Sequence, residues 1–425
     1  MKLTSHSRTL IPFFIDQKTT SKLSYTNETT DTNEILEDIY HDIYNANIFL
    51  NTIKHKLGPK FYEITIKKIM NVYHIPKPKT FNSNSFPQKI RQYIDEMSLT
   101  EICYSFSLFE RNIKLYFITE ELDSKINTQT YNKYVETIVM WLYILNEYSS
   151  KKCSKNFTVY FYFTSLKKKL PESNIEILDE NHVNTAFTST CPRDSEIIIF
   201  RREEWLKVFI HETFHNFALD FSDMSQHHCK QKILSIFPVN SDVNLYESYT
   251  EFWAEFINCC FASFIIMKNK NNFDLFQKHF HYFIDLERKY SFFQMVKTLY
   301  FMGLHYKDLY KTSKQETVML RNTLYKENTN VLSYYIIKTI LINHYPQFLH
   351  WCKTNNHSLL QFKKTESNLE NYCDFIGKYY KSRSMLECVK ETENYFYYLN
   401  NQKKNKKQNL TFLLNNMRMS ICEMG

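Results

Sequence analysis

The chain has 425 residues, a formal net charge of +8 and 43% hydrophobic residues, enough to bury a large core and, at roughly 150 residues per domain, to form two or three lobes. Its 4 glycines and 9 prolines, where average usage would give about 30 glycines, argue against a many-stranded fold rich in tight turns. The basic runs Lys167–Lys169 and Lys403–Lys407 stand beside no RNA-binding or zinc-finger signature and read as solvated surface, so no nucleic-acid partner is expected.

In chain order, residues 1–30 are rich in Ser, Thr and Lys and read as a flexible arm. Residues 31–107 read as a mainly helical N-terminal region: Ile35, Leu36, Ile39, Ile43 and Ile48 recur at helical spacing, and a polar connector runs from Pro76 to Pro87. No internal repeat is visible. The stretch 108–268 is ordered differently. Alternation over Arg111–Ile118 predicts a strand, and Thr128–Tyr148 a long buried helix. Phe157–Thr164 predicts a second strand, Val183–Ser189 a short edge strand and Glu196–Arg201 a central one. Helices follow from about Glu203 to Leu219 and from about Val243 to Met267. Residues 269–425 read as a helical lobe with loops near Tyr310–Lys314 and Lys353–His357. The expected class is α+β and mostly helical, with three to five strands over about 108–202.

No apolar run reaches the ~20 uncharged residues of a spanning helix. Leu10–Ile15 is too short and proline-broken for a signal peptide. Ten cysteines at irregular positions, with no C-x-x-C pair, predict reduced thiols. A soluble, intracellular chain without a membrane partner is the expectation.

The chemistry lies in His211-Glu212-Thr213-Phe214-His215. On a helix, imidazoles at i and i+4 share one face about one turn apart. That spacing suits one tetrahedral Zn²⁺, which needs one further protein ligand plus a water. Glu212 falls beside the metal, placed to take a proton from a water whose pKa zinc lowers to roughly 7. Apolar flanks, among them Val208, Phe209, Ile210, Phe214 and Phe217, bury this helix, and buried histidines and carboxylates require partners. Ala218 and Phe221 stand where a metzincin carries its glycine and third histidine, which excludes that class. Downstream, Glu247, Glu251 and Glu255 form an i, i+4, i+8 stripe on an otherwise apolar helix, and spacing alone does not rank them as third ligand.

Here the chain resembles the gluzincins, metallopeptidases in which a glutamate on a second helix completes the zinc site. Glu247-Ser248-Tyr249-Thr250-Glu251-Phe252 is similar to their E-G-x-[AT]-x-[YF] stretch, with Ser248 at the glycine position and 31 residues between His215 and Glu247. The resemblance covers roughly 108–268. It implies a zincin-like lobe with a small mixed sheet, a backing helix (128–148), an active-site helix and a glutamate helix. It implies Glu247 as ligand and Glu251 as acceptor from His211. Phe200–Trp205 before the motif, with Phe237-Pro238 before the glutamate helix, resembles uncharacterised metallopeptidase-like proteins of nucleocytoplasmic large DNA viruses, which would place the chain in host cytoplasm or virion. The implied function is zinc-dependent hydrolysis of a protein or peptide substrate, with Glu212 as general base. The alternatives are a catalytically silent binding or virion-structural protein and a basic nucleic-acid-associated protein.

Other candidates are less defined. Tyr334, Tyr335, His305 and His344 are candidate donors to a transition-state oxyanion. His227-His228-Cys229 reads as a surface loop, with a second metal site as the sharper alternative. Cys191 has no histidine at nucleophile spacing and receives no role.

Overall fold

Alternating side chains build the sheet that carries the site. In the strand Asn156–Phe163 (β4), Phe157, Val159, Phe161 and Phe163 enter the main core, while Tyr160 and Tyr162 enter a smaller core on the other face, the period-2 pattern of a strand covered on both sides. The remaining strands are Glu63–Lys68 (β1), Thr100–Leu108 (β2), Arg111–Thr119 (β3), Ala186–Thr188 (β5) and Asp194–Ile199 (β6). They form one mixed sheet in the order β1-β2-β3-β4-β6-β5. The pairs β1/β2, β2/β3 and β5/β6 are antiparallel, and β3/β4 and β4/β6 are parallel. The computed structural model describes residues 1–15, 30–58, 61–310, 314–402 and 408–425.

Among the described residues up to Phe301 the helices are Ser5–Leu10 (α1), Pro12–Ile15 (α2), Thr30–Leu57 (α3), Gln88–Met97 (α4), Thr128–Tyr148 (α5), Glu180–Val183 (α6), Trp205–Asn216 (α7), His227–Ile236 (α8), Leu245–Ile266 (α9) and Phe273–Phe301 (α10). The crossover helix α5 joins the parallel strands β3 and β4. Its Tyr131 and Tyr134 pack on Phe117 and Phe163. The opposite face is covered by α4 through Ile90 and Ile94, and by Phe81 and Phe86 of the 76–87 connector. Beyond α9 the described chain is almost wholly helical, as a mostly helical α+β fold requires.

Three expectations change. The sheet has six strands and begins at Glu63, inside the stretch read as mainly helical. Residues 1–15 are not a loose arm: Leu10 and Phe14 are buried, and Leu3 bridges Met424; residues 16–29 of that arm lie outside the described residues, as do Lys403–Lys407 and 311–313 of the loop expected near Tyr310. Cys153 and Cys191 form a disulfide, while the other eight cysteines are free and buried, so the expectation of uniformly reduced thiols fails. The pairing was hidden because the two residues are 38 apart and meet only through the sheet.

Candidate metal centre

Every residue of α7 is buried, because the helix lies between the sheet and α9. Its start is set from afar. Glu204 takes a left-handed backbone (φ 60°), and its N–H donates to Glu423 Oε1 at 2.6 Å. The Glu204 carboxylate accepts from the backbone N–H groups of Met419 (2.9 Å) and Ser420 (2.6 Å) and pairs with Lys168 at 2.5 Å. In mid-helix, Trp141 of α5 donates its indole N–H to Thr213 Oγ1 at 2.8 Å, fixing the helix face turned to the sheet.

The helix ends in a left-handed turn. Ala218 has φ 55°, its N–H bonds to the His215 carbonyl (3.0 Å), and the Leu219 N–H bonds to the Phe214 carbonyl (2.9 Å). This paired closure normally carries glycine at the Ala218 position. The turn folds the chain back so that Asp220, five residues after His215, reaches its Nδ1 through a short hydrogen bond.

On the site face, His211 Nε2 and His215 Nε2 lie 3.1 Å apart. Glu247 Oε2 of α9 is 3.1 Å from the first and 3.5 Å from the second. The three ligand atoms lie within 4.8 Å of one another. Each ring's other nitrogen is taken: His211 Nδ1 faces Glu251 Oε2 at 2.9 Å, and His215 Nδ1 faces Asp220 Oδ2. A carboxylate at Nδ1 accepts that N–H and leaves the Nε2 lone pair facing inward. Two such lone pairs and a carboxylate repel one another unless a cation lies between them. Two nitrogens bound at about 2.0–2.1 Å to a tetrahedral zinc would stand about 3.3 Å apart, so the observed spacing fits. The buried group His211, His215 and Glu247 could therefore hold a metal ion.

The electrostatics carry the same demand for positive charge. Burial disfavours a charged His211, but its bonds to Glu247 and Glu251 raise it above the ordinary histidine value. His215 rises well above it against burial, chiefly through Asp220. Burial would raise Glu247, yet the two imidazoles hold it far below the usual carboxylate range. Glu212 behaves oppositely: burial pushes it up to about 6. Its carboxylate hydrogen-bonds to none of the described residues and lines, with His211, Thr185 and Tyr334, a cavity of about 30 Å³. That volume admits water and not a peptide.

Of the four candidate oxyanion donors, Tyr334 alone reaches the centre, donating to Glu247 Oε2 at 2.9 Å from a π-helical stretch, Leu332–Ile337. Tyr335 donates to the Met417 carbonyl, His344 pairs with Ser382 and His305 with Glu393. His227, His228 and Cys229 lie on α8 rather than in a loop, with Cys229 buried. Among the described residues the only group assembled for a metal is His211, His215 and Glu247. Glu255 sits two turns beyond Glu247 and pairs with Lys338 at 2.8 Å, away from the centre.

Sequence reading missed Asp220, Asn330 and Lys207. Asn330 Nδ2 donates to Glu247 Oε1 at 3.3 Å, and Lys207 Nζ to Glu251 Oε1 at 2.6 Å. Asp220 carried a signal, a lone acid between Leu219 and Phe221 just past the helix; Asn330, 83 residues from Glu247, carried none. No family model, no curated protein and no solved structure matches the chain.

Proposed function

We propose that the chain is a zinc-dependent metallopeptidase of the gluzincin kind. One observation carries the reading: two imidazoles, each held at Nδ1 by a buried carboxylate, turn their Nε2 atoms on Glu247, while Glu212, hydrogen-bonded to none of the described residues, stands beside them. His211, His215 and Glu247 would hold the ion, whose nitrogen- and carboxylate-rich donor set suits Zn²⁺. Zinc there would supply Lewis acidity, polarising a peptide carbonyl and acidifying water.

The chain's own groups do the rest. Glu212, raised to about 6 by burial, accepts a proton from the attacking water near neutral pH and can return it to the leaving amine. Tyr334, whose burial beside Glu247 keeps its phenol protonated, is placed to donate to the developing oxyanion. The strand β5, at the edge of the sheet, offers backbone groups to an extended peptide.

The small volume beside Glu212, about 30 Å³, favours a second reading, a metal-holding scaffold that hydrolyses nothing. The two separate on purified protein. Zinc is measured per chain for the natural sequence and for His215→Ala, and a peptide mixture is assayed for cleavage with and without chelator. The peptidase reading expects near-stoichiometric zinc, lost in His215→Ala, and chelator-sensitive cleavage that Glu212→Gln abolishes while keeping zinc. Zinc without cleavage would leave the scaffold; turnover undiminished in Glu212→Gln would remove Glu212 as the base. Among the described residues no helix is long and apolar enough to cross a membrane.

A further inference from the structure

Lys207 is a buried cation on the helix that bears the metal ligands, yet it touches no ligand. Its side chain is 4% exposed, and Nζ lies 2.6 Å from Glu251 Oε1, with Met419 Sδ at 4.0 Å. Taking an ammonium out of water is costly, and an ion pair at such depth is seldom a source of net stability. Its position is more informative. Lys207 and His211 are one turn apart on α7, and both grip the same carboxylate: Lys207 holds Oε1 and His211 Nδ1 holds Oε2. Glu251 is thereby fixed by two donors from a single helix face.

We infer that Lys207 is a positioning residue for the metal centre, clamping Glu251 so that the register of α9 against α7 delivers Glu247, one turn earlier, to the two Nε2 atoms. The geometry explains why both bonds are needed. A carboxylate held only by His211 can rotate about its last side-chain bond and slide along the helix face. One held at both oxygens by donors a turn apart cannot do so without breaking a charge-assisted bond. Glu247 and Glu251 share a rigid helix, so fixing the second fixes the first. The surroundings keep the clamp in place: Lys168 is occupied by Glu204 at 2.5 Å and does not compete for Glu251, and Glu255 is drawn off by Lys338 at 2.8 Å.

This inference rests on the metal reading of the site and not on peptidase chemistry, so its test uses zinc alone. Zinc affinity is measured by competition with a chelating dye for the natural sequence, Lys207→Met, Glu251→Gln and the double variant, with folding followed by circular dichroism. Lys207→Met is expected to weaken zinc binding about 10–100-fold, the usual effect of removing support behind a ligand. In the Glu251→Gln background the same change should alter affinity by less than about three-fold, because the residue it acts through has already lost its charge. Natural affinity in a folded Lys207→Met protein overturns the inference, as does an undiminished effect in the double variant. Should Lys207→Met fail to fold, with Glu251 left buried and bonded to His211 alone, the double variant lacks that under-compensated charge and is compared with Glu251→Gln alone. A further ten-fold loss there would again overturn it. If the natural protein binds no zinc, the metal reading falls first and this inference with it.

Discussion

Replacing Glu247, Glu251 and Glu255 by alanine, one at a time, tests the centre most sharply, because three chemically identical residues one turn apart have three different surroundings. Glu247 contacts both Nε2 atoms, so its loss removes one of three ligands and zinc content should fall to background. Glu251 contacts no ligand atom directed at the metal, but joins Lys207 to His211 Nδ1. Its removal should leave a measurable but weaker site, about 10–100-fold down in affinity, and strand Lys207 at a stability cost of about 3–5 kcal/mol. Glu255 strands Lys338, whose side chain is 2% exposed, so a comparable cost of about 3–5 kcal/mol should appear with zinc content unchanged. The assay is zinc per chain by mass spectrometry after gel filtration, paired with urea unfolding of the same samples. Zinc and stability should therefore dissociate between the first and third variants. If Glu251→Ala empties the site while Glu247→Ala leaves it filled, the ligand assignment is one turn off.

Further outcomes follow from the same geometry. Tyr334→Phe should keep zinc and slow cleavage by about 10²–10³-fold, the loss typical of one oxyanion donor; an unchanged kcat would remove Tyr334 from the chemistry. Glu212 must be ionised to act, so kcat/KM should fall as pH drops through about 6 or somewhat lower, since a bound cation stabilises the carboxylate. In metal-free protein the raised Glu212 gives the opposite slope: the folded state holds its proton more tightly than the unfolded one, so this group's contribution to stability declines as pH rises from about 4.5 to 6, and Glu212→Gln should flatten that decline in unfolding curves. Ala218→Gly should stabilise the chain by about 1 kcal/mol by relieving its left-handed backbone; a loss of stability would mean the methyl packs to more effect than the backbone strains. Thiol titration of denatured, unreduced protein should count eight groups, and ten after reduction, with the reduced form less stable by about 4 kcal/mol for a loop of 38 residues; ten thiols before reduction would refute the pairing.

The sequence was legible where local pattern and burial agree. The helix α5 runs from Thr128 to Tyr148 as its apolar spacing predicts, and β3, β4 and β6 fall where β-branched and aromatic runs place them. The hairpin β2–β3 was not read. Its two turn residues, Phe109 (φ 52°) and Glu110 (φ 59°), carry the positive φ values that Asn-Gly usually signals. Thr100–Leu108 does alternate, with Ile102, Tyr104 and Phe106 turned to the core, so the strand itself is legible in its sequence and only the turn is unmarked. At the site, His211, Glu212 and His215 were fixed by spacing, and Glu247 by likeness to a family stretch. Asn330 comes to the centre by tertiary packing alone, which leaves no trace in local spacing, whereas Lys207 stands one turn before His211 on α7 and only its partner Glu251 is set by packing.

The closing of residues 2–4 on residues 423–425 bears on how the protein reaches its working form. Lys2 and Gly425 exchange backbone hydrogen bonds at 3.0 and 2.8 Å, and the Thr4 N–H meets the Glu423 carbonyl at 2.9 Å, while Glu423 also caps the start of α7. Pairing positions more than four hundred residues apart adds little to the equilibrium cost, since each doubling of a loop adds only about 0.6 kcal/mol. It is a late event in time, because contacts distant in sequence are slow to form. The helix carrying His211 and His215 can coil early, but its start is secured only when Met419, Ser420 and Glu423 bond to Glu204. In refolding experiments, zinc capture should therefore lag behind the recovery of helical signal and track the docking of residues 416–425.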